Sequence, residues 1–170
     1  MAAARRHPAP ADDPRWAELA DLALVIAREI QVRGYQDPQA VPLTQTEGSV
    51  MRHLNENGGE HDGTAPSMIA AATGLQRTNL ATVLTGLQRK GLIERRASPQ
   101  DGRAASIHTT EHGRTNYVLV HGEWGQAVST AAGHEADTGK LNTALEILRA
   151  VRDGLIGTRP AGPGRPPTLM

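Results

Sequence analysis

Apolar residues recur at helical spacing along most of this chain. From Pro14 onward, Leu19, Leu22, Ala23, Ile26 and Ile30 fall on one side of a helix that Gly34 ends. After a break containing Pro38 and Pro42, Thr44 to Glu47 reads as a capping box, each of the two side chains satisfying the other's free backbone donor. The helix that follows carries Val50, Met51 and Leu54 and stops at Gly58-Gly59, and residues 60–64 read as a polar loop. A short apolar helix, Pro66 to Thr73, leads through Gly74-Leu75 into another that runs to about Lys90, where Leu80, Val83, Leu84 and Leu87 form one stripe. Gly91 to Arg96 and Ala104 to Thr109 then read as two short strands around a loop, Ser98 to Arg103, turned by Pro99 and Gly102. Thr110 caps a helix with Tyr117, Val120, His121, Trp124 and Val128 on one side, and a last helix shows Leu141, Leu145, Leu148, Val151 and Leu155.

The stretch from Ala65 to Gly113 organises the rest. A helix-turn-helix needs a small residue where its helices touch, a turn residue, and a buried aliphatic in the second helix; Ala70, Gly74 and Leu80 supply them. Pro66 suits a first helical position because its missing N–H would have no partner there, and Gly74 suits the left-handed end of a helix. Opposite its apolar stripe the second helix presents Arg77, Thr78, Asn79, Thr82, Thr85 and Arg89. Docked by that stripe, it offers its N-terminal residues to base edges. The fold class is therefore mainly α with a small β-wing: a winged helix-turn-helix core over about 43–113, flanked by N- and C-terminal dimerisation helices at about 14–34 and 111–156. Residues 1–13, small and Pro-interrupted, and 157–170, with Pro160, Pro163, Pro166 and Pro167, read as disordered tails. The apolar stripes of the terminal helices exceed what so small a core can cover, which points to a second copy of the chain.

Composition narrows the chemistry. With 170 residues, 38% hydrophobic, no Phe, two Trp and two Tyr, the chain makes one domain with a core of Leu, Ile, Val and Ala. It has no Cys, which excludes disulfides, thiolate metal sites and thiol redox sensing. The N-terminus lacks an apolar signal region and no run approaches the roughly 20 apolar residues that span a bilayer, so a cytoplasmic protein with no membrane partner is expected. Formal net charge is zero, yet Gln76 to Arg114 holds seven basic residues (Arg77, Arg89, Lys90, Arg95, Arg96, Arg103, Arg114) against three acidic ones (Glu94, Asp101, Glu111). Positive charge thus collects at the motif. Arg103, held by Asp101 at the hairpin tip, suits a narrow minor groove, where the potential is most negative.

Residues 43 to 114 resemble a MarR-family winged-helix transcriptional regulator. The resemblance rests on Pro66-Ser67 with Ile69-Ala70, Gly74-Leu75, Leu87-Gln88-Arg89-Lys90-Gly91-Leu92-Ile93, Asp101-Gly102-Arg103 and Thr110-Glu111-His112-Gly113-Arg114. It implies a homodimer on pseudo-palindromic double-stranded DNA, released in many members by a small ligand or oxidant, with recognition helices spaced by roughly 34–36 Å. It places DNA contacts at Ser67, Gln76, Arg77, Thr78, Asn79, Thr82 and Arg103, with Asp101 supporting the wing. Two features depart from the pattern. Ser98 and Gln100 replace the first Asp and Arg of the usual Asp-x-Arg-Asp-x-Arg wing, and Gln76 stands where a Ser or Thr cap is usual, at a cost of roughly 0.5–2 kcal/mol to the helix. The resemblance also puts an effector pocket between the first, second and fifth helices, where Trp16, Tyr35, His53, Tyr117, His121 and Trp124 would take a small aromatic or anionic molecule.

Other chemistry finds less support. Seven His residues in a chain without Cys raise a metal-responsive alternative, but only His108 and His112 approach helical ligand spacing, and they straddle a strand-to-helix joint. No metal and no cofactor is expected. There is no nucleophile elbow, phosphate-binding Gly loop or placed carboxylate pair, so no catalytic residue is named and no enzyme is expected. The rival from another class is a winged helix that binds protein instead of DNA; its face would carry aromatic or Met anchors in place of a Thr-rich, basic one.

Overall fold

A computed structural model describes residues 13–57, 63–97, 105–135 and 137–159. The order is α1 (Arg15–Arg33), α2 (Gln45–Asn57), α3 (Pro66–Thr73), α4 (Arg77–Arg89), β1 (Ile93–Ala97), β2 (Ala105–Thr109), α5 (Glu111–Ala132), one 3₁₀ turn (Gly133–Glu135) and α6 (Thr138–Gly157). The chain divides into two units, Met1–Gly34 and Tyr35–Met170. The first contains α1, which Asp13 secures by accepting from the backbone N–H of Arg15 at 3.0 Å and from its guanidinium. That pairing holds the Asp13 carboxyl at about 2.

In the second unit the core is aliphatic, as the composition requires: Leu43, Val50, Met51, Leu54, Ile69, Leu80, Leu84, Leu87, Leu92, Ile93, Ile107 and Val120 are buried together. Three of the four residues in the α4 stripe are among them, with Val83 packed at the edge. The capping box forms, Thr44 N–H donating to Glu47 Oε2 at 2.9 Å and Glu47 N–H to Thr44 Oγ1 at 3.2 Å. Gly74 closes α3 at φ 74°, in the left-handed region. Helix α5 begins under a Thr110 cap: its hydroxyl accepts from Gly113 N–H at 2.9 Å and donates to Gly91 O at 2.7 Å.

The strands pair antiparallel with Ile93 opposite Thr109 and Ala97 opposite Ala105. The polar-loop reading of 60–64 needs correction at its end. Thr64 is buried and bridges Ile107 through N–H···O bonds of 2.8 and 2.9 Å, giving β2 a partner on its free side. Residues 58–62, the wing loop 98–104 and both tails as far as 12 and from 160 lie outside the described residues. No helix among those described is long and apolar enough to cross a membrane.

Candidate nucleic-acid interface

Three scaffolding devices present α4. Its buried stripe docks it on the core. Its C-terminus is fixed to α2 by Lys90, whose ammonium donates to both Glu47 oxygens (2.8 and 2.7 Å) and to Pro42 O (2.8 Å). Burial alone would raise the Glu47 carboxyl; the Lys90 ammonium and the Thr44 N–H and hydroxyl outweigh it and hold the group below its ordinary value. Third, the segment leading into α2 is pinned to α5: Val41 N–H donates to Asn116 Oδ1 at 2.7 Å, Asn116 Nδ2 returns to Val41 O at 3.1 Å, and Glu123 accepts from Gln36 and Asp37 N–H. Tyr35 clamps the same segment through Leu43 N–H and O, both at 3.1 Å.

Ser67, Gln76, Arg77, Thr78, Asn79 and Thr82 are all exposed, Ser67 at the start of α3 and the others at the start of α4. Gln76 makes no side-chain cap, so the first N–H groups of α4 have no side-chain acceptor. Thr82 and Thr85 donate their hydroxyls back to Thr78 O (3.3 Å) and Ala81 O (2.9 Å), leaving oxygen lone pairs outward. Arg103 and its supporting Asp101 lie outside the described residues.

Pairing divides the local positive charge unequally. Lys90 answers Glu47, Arg96 answers Glu94, and Arg114 answers Glu111 and Thr109 O. Arg77, Arg89 and Arg95 make no ion pair among the described residues, and all three are exposed. Arg77, Arg95 and Ser67 line one cleft of 290 Å³, floored by the buried Leu80 and Leu84. Arg95 entered the sequence reading only as one of the basic residues. Strand alternation was the signal that could have separated it from Glu94 and Arg96.

Of the proposed effector residues, Tyr35, His53, Tyr117, His121 and Trp124 belong to the second unit. Tyr117, His121 and Trp124 stack along α5, with ring centroids 4.2 and 5.4 Å apart. Burial and the Arg52 guanidinium push the His121 imidazole below its ordinary value; burial and Glu56 push the Tyr117 phenol up. Trp124 packs against α2, where a Cβ on Gly48 would come within 3.2 Å of its ring. His53 lines a groove of 760 Å³ with residues of α2, α3 and α6, and its Nε2 is buried with no hydrogen-bond partner among the described residues. Trp16 lies on α1 in the N-terminal unit. Tyr35 serves as the loop clamp described above. The described histidines are dispersed: His108 is buried on β2, its Nε2 2.7 Å from Ser106 Oγ, while His112 is exposed on α5. Among the described residues no cluster of three or more His, Cys, Asp or Glu has metal-site geometry.

Comparison with known proteins agrees with this geometry. Residues 42–104 match the model described as "MarR family". Among solved structures, a MarR family protein from Bacillus stearothermophilus is 20% identical with TM-score 0.63, over 85% of this chain and 99% of that one. The transcriptional repressor CouR, solved bound to a 23-mer DNA duplex, is 22% identical with TM-score 0.63, over 79% and 89%. The PcaV transcriptional regulator from Streptomyces coelicolor, solved with its natural ligand, is 17% identical with TM-score 0.56, over 85% and 98%. No curated protein matches by sequence.

Proposed function

We propose that this chain, whose residues 42–104 match the MarR family model, is a homodimeric, sequence-specific DNA-binding transcriptional repressor that reads pseudo-palindromic DNA with α4 and is released by a small molecule. The observation that carries this reading is the outward face of α4: Arg77 without an ion-pair partner, Thr78, Asn79 and Thr82 exposed, and a helix start with no side-chain cap. In this reading Arg77, Thr78, Asn79 and Thr82 approach base edges, Gln76 lies at their N-terminal margin, Ser67 fixes a phosphate, and Arg103 beside Asp101 enters the minor groove. Structures of fold relatives bound to DNA and to a ligand support the two activities by likeness.

The dimer reading draws on exposed aliphatics. Leu22, Val25 and Ile26 of α1 and Leu141, Leu145, Leu148 and Leu155 of α6 face solvent in the single chain, more apolar surface than a lone regulator of this size needs to expose. For the effector, the α5 stack of Tyr117, His121 and Trp124 offers flat rings and a titratable nitrogen to a small aromatic or anionic molecule.

The test is selection of bound duplexes from a randomised pool by the purified protein, with Arg77→Ala alongside. An inverted repeat with half-site centres about 10 base pairs apart is expected. Arg77→Ala should cost about 1–3 kcal/mol and relax preference at one base position per half-site. No enriched sequence would overturn the DNA reading. Equal loss across all sequences would make Arg77 a phosphate contact.

A further inference from the structure

We propose that Arg95, on the wing strand, and Ser67, at the start of α3, form with the stem of α4 a clamp for one DNA phosphate, making Arg95 a DNA-binding residue that sets affinity without reading sequence. This rests on the DNA reading above and goes beyond it by naming a residue and the chemistry of its ligand, a phosphate diester.

The argument starts from strand alternation. In β1, Ile93 and Arg95 share one face and Glu94 and Arg96 the other. The second face neutralises itself, because Arg96 pairs with Glu94. Arg95 is left on the face of its cross-strand neighbour Ile107, which is buried. Arg95 lines one small cleft with Arg77, Ser67 and the buried Leu80 and Leu84, a setting in which a long side chain can pack its stem on apolar surface and keep its charged head in water. Neither Arg77 nor Arg95 meets a carboxylate among the described residues. Two guanidiniums on one small cleft repel each other, and a phosphate held by Arg95 relieves that repulsion while Arg77 keeps its reach toward base edges. A planar guanidinium fork suits phosphate oxygens, and the hydroxyl adds a neutral donor. Base readout by Arg95 is disfavoured, since a side chain on the hairpin's inner face lies beside α4 and not along the outward face of that helix.

The clamp has a thermodynamic signature. Each phosphate neutralised contributes about 0.9 to the slope of log K against log salt concentration. A dimer carries two such clefts, so Arg95→Gln should lower the slope by about 1.8. Over 50 to 200 mM salt, a fourfold range, the variant's affinity should fall about 12-fold less than that of wild type.

The experiment titrates wild type, Arg95→Gln and Arg95→Lys against the selected duplex and a scrambled duplex across that salt range. A parallel series replaces chloride with sulfate at matched ionic strength. The clamp predicts the slope change in Arg95→Gln, equal proportional loss on both duplexes, and a slope restored by Arg95→Lys. An unchanged slope in Arg95→Gln overturns it, as does a loss confined to one base position. If Arg95→Gln removes only an extra inhibition by sulfate and leaves the chloride slope alone, the cleft takes a free anion and the DNA assignment is wrong. Wild type that binds neither duplex at any salt overturns the DNA reading itself, an outcome separate from an intact protein with an unchanged slope.

Discussion

Gly113→Ala and Gly122→Ala place the same methyl group on the same helix and should move stability in opposite directions. A Cβ on Gly113 would lie 2.0 Å from Leu92 O and 2.9 Å from both Leu92 C and Thr109 Cγ2, whereas one on Gly122 meets nothing within 4 Å. An ordinary carbon–oxygen contact is about 3.3 Å or more, so the start of α5 must retreat by about 1.3 Å. The obstacle is backbone, so no rotamer change relieves it. The same Leu92 O accepts the Thr110 N–H at 3.1 Å, and Thr110 Oγ1 donates to Gly91 O at 2.7 Å. A retreat of that size breaks both bonds, at about 0.5–1.5 kcal/mol each, and strands a carbonyl for about 1–3 more. Alanine returns at most about 1 kcal/mol as the better helix former. The net loss is about 3 kcal/mol, or a fall in Tm of about 6–12 °C for a chain of this length. Gly122→Ala should instead gain up to about 1 kcal/mol. The assay is thermal and urea unfolding of both variants and wild type at one fixed protein concentration, since the proposed dimer would make Tm depend on it. If Gly113→Ala melts at or above wild type, the reasoning from backbone contact is wrong.

Lys90→Met removes the partner of a buried carboxylate and should cost about 2–4 kcal/mol at pH 7. Because the folded Glu47 group sits below its unfolded value, the stability it contributes is present above about pH 4.3 and is lost as pH falls through the folded value. The gap between wild type and variant in urea unfolding should therefore narrow below pH 4; a gap that widens there refutes the pairing. Asn116→Ala leaves Val41 N–H and O without their partner and should cost about 2–4 kcal/mol. Hydrogen exchange should show the Val41 amide losing protection, and an unchanged rate there would count against the assignment.

What the sequence made legible was local, and what it hid was distant. Helices α2 and α4, the Thr44–Glu47 box, the left-handed Gly74 and the Thr110 cap all follow from residues within one or two turns of each other, where period and capping chemistry act. The contacts that hold those pieces in register join polar residues far apart: Lys90 to Glu47 across 43 positions, Asn116 to Val41 across 75, and Glu123 to Gln36 across 87. A buried Asn or Glu in a polar stretch looks the same in sequence as an exposed one, so nothing local marked them. The same distinction sorts the interface. Face periodicity was enough to expose Arg77, Thr78, Asn79 and Thr82, but a count of basic residues could not tell which were already spent on carboxylates. Among the described residues pairing leaves three, on α4 and the adjoining strand. Gln76, an uncapped start by the ordinary rules of helix stability, belongs to the same logic: a side-chain cap there would occupy N–H groups at the end of α4 that carries the exposed polar residues. The uncapped start of α4 thus falls beside the exposed Arg77, Thr78 and Asn79.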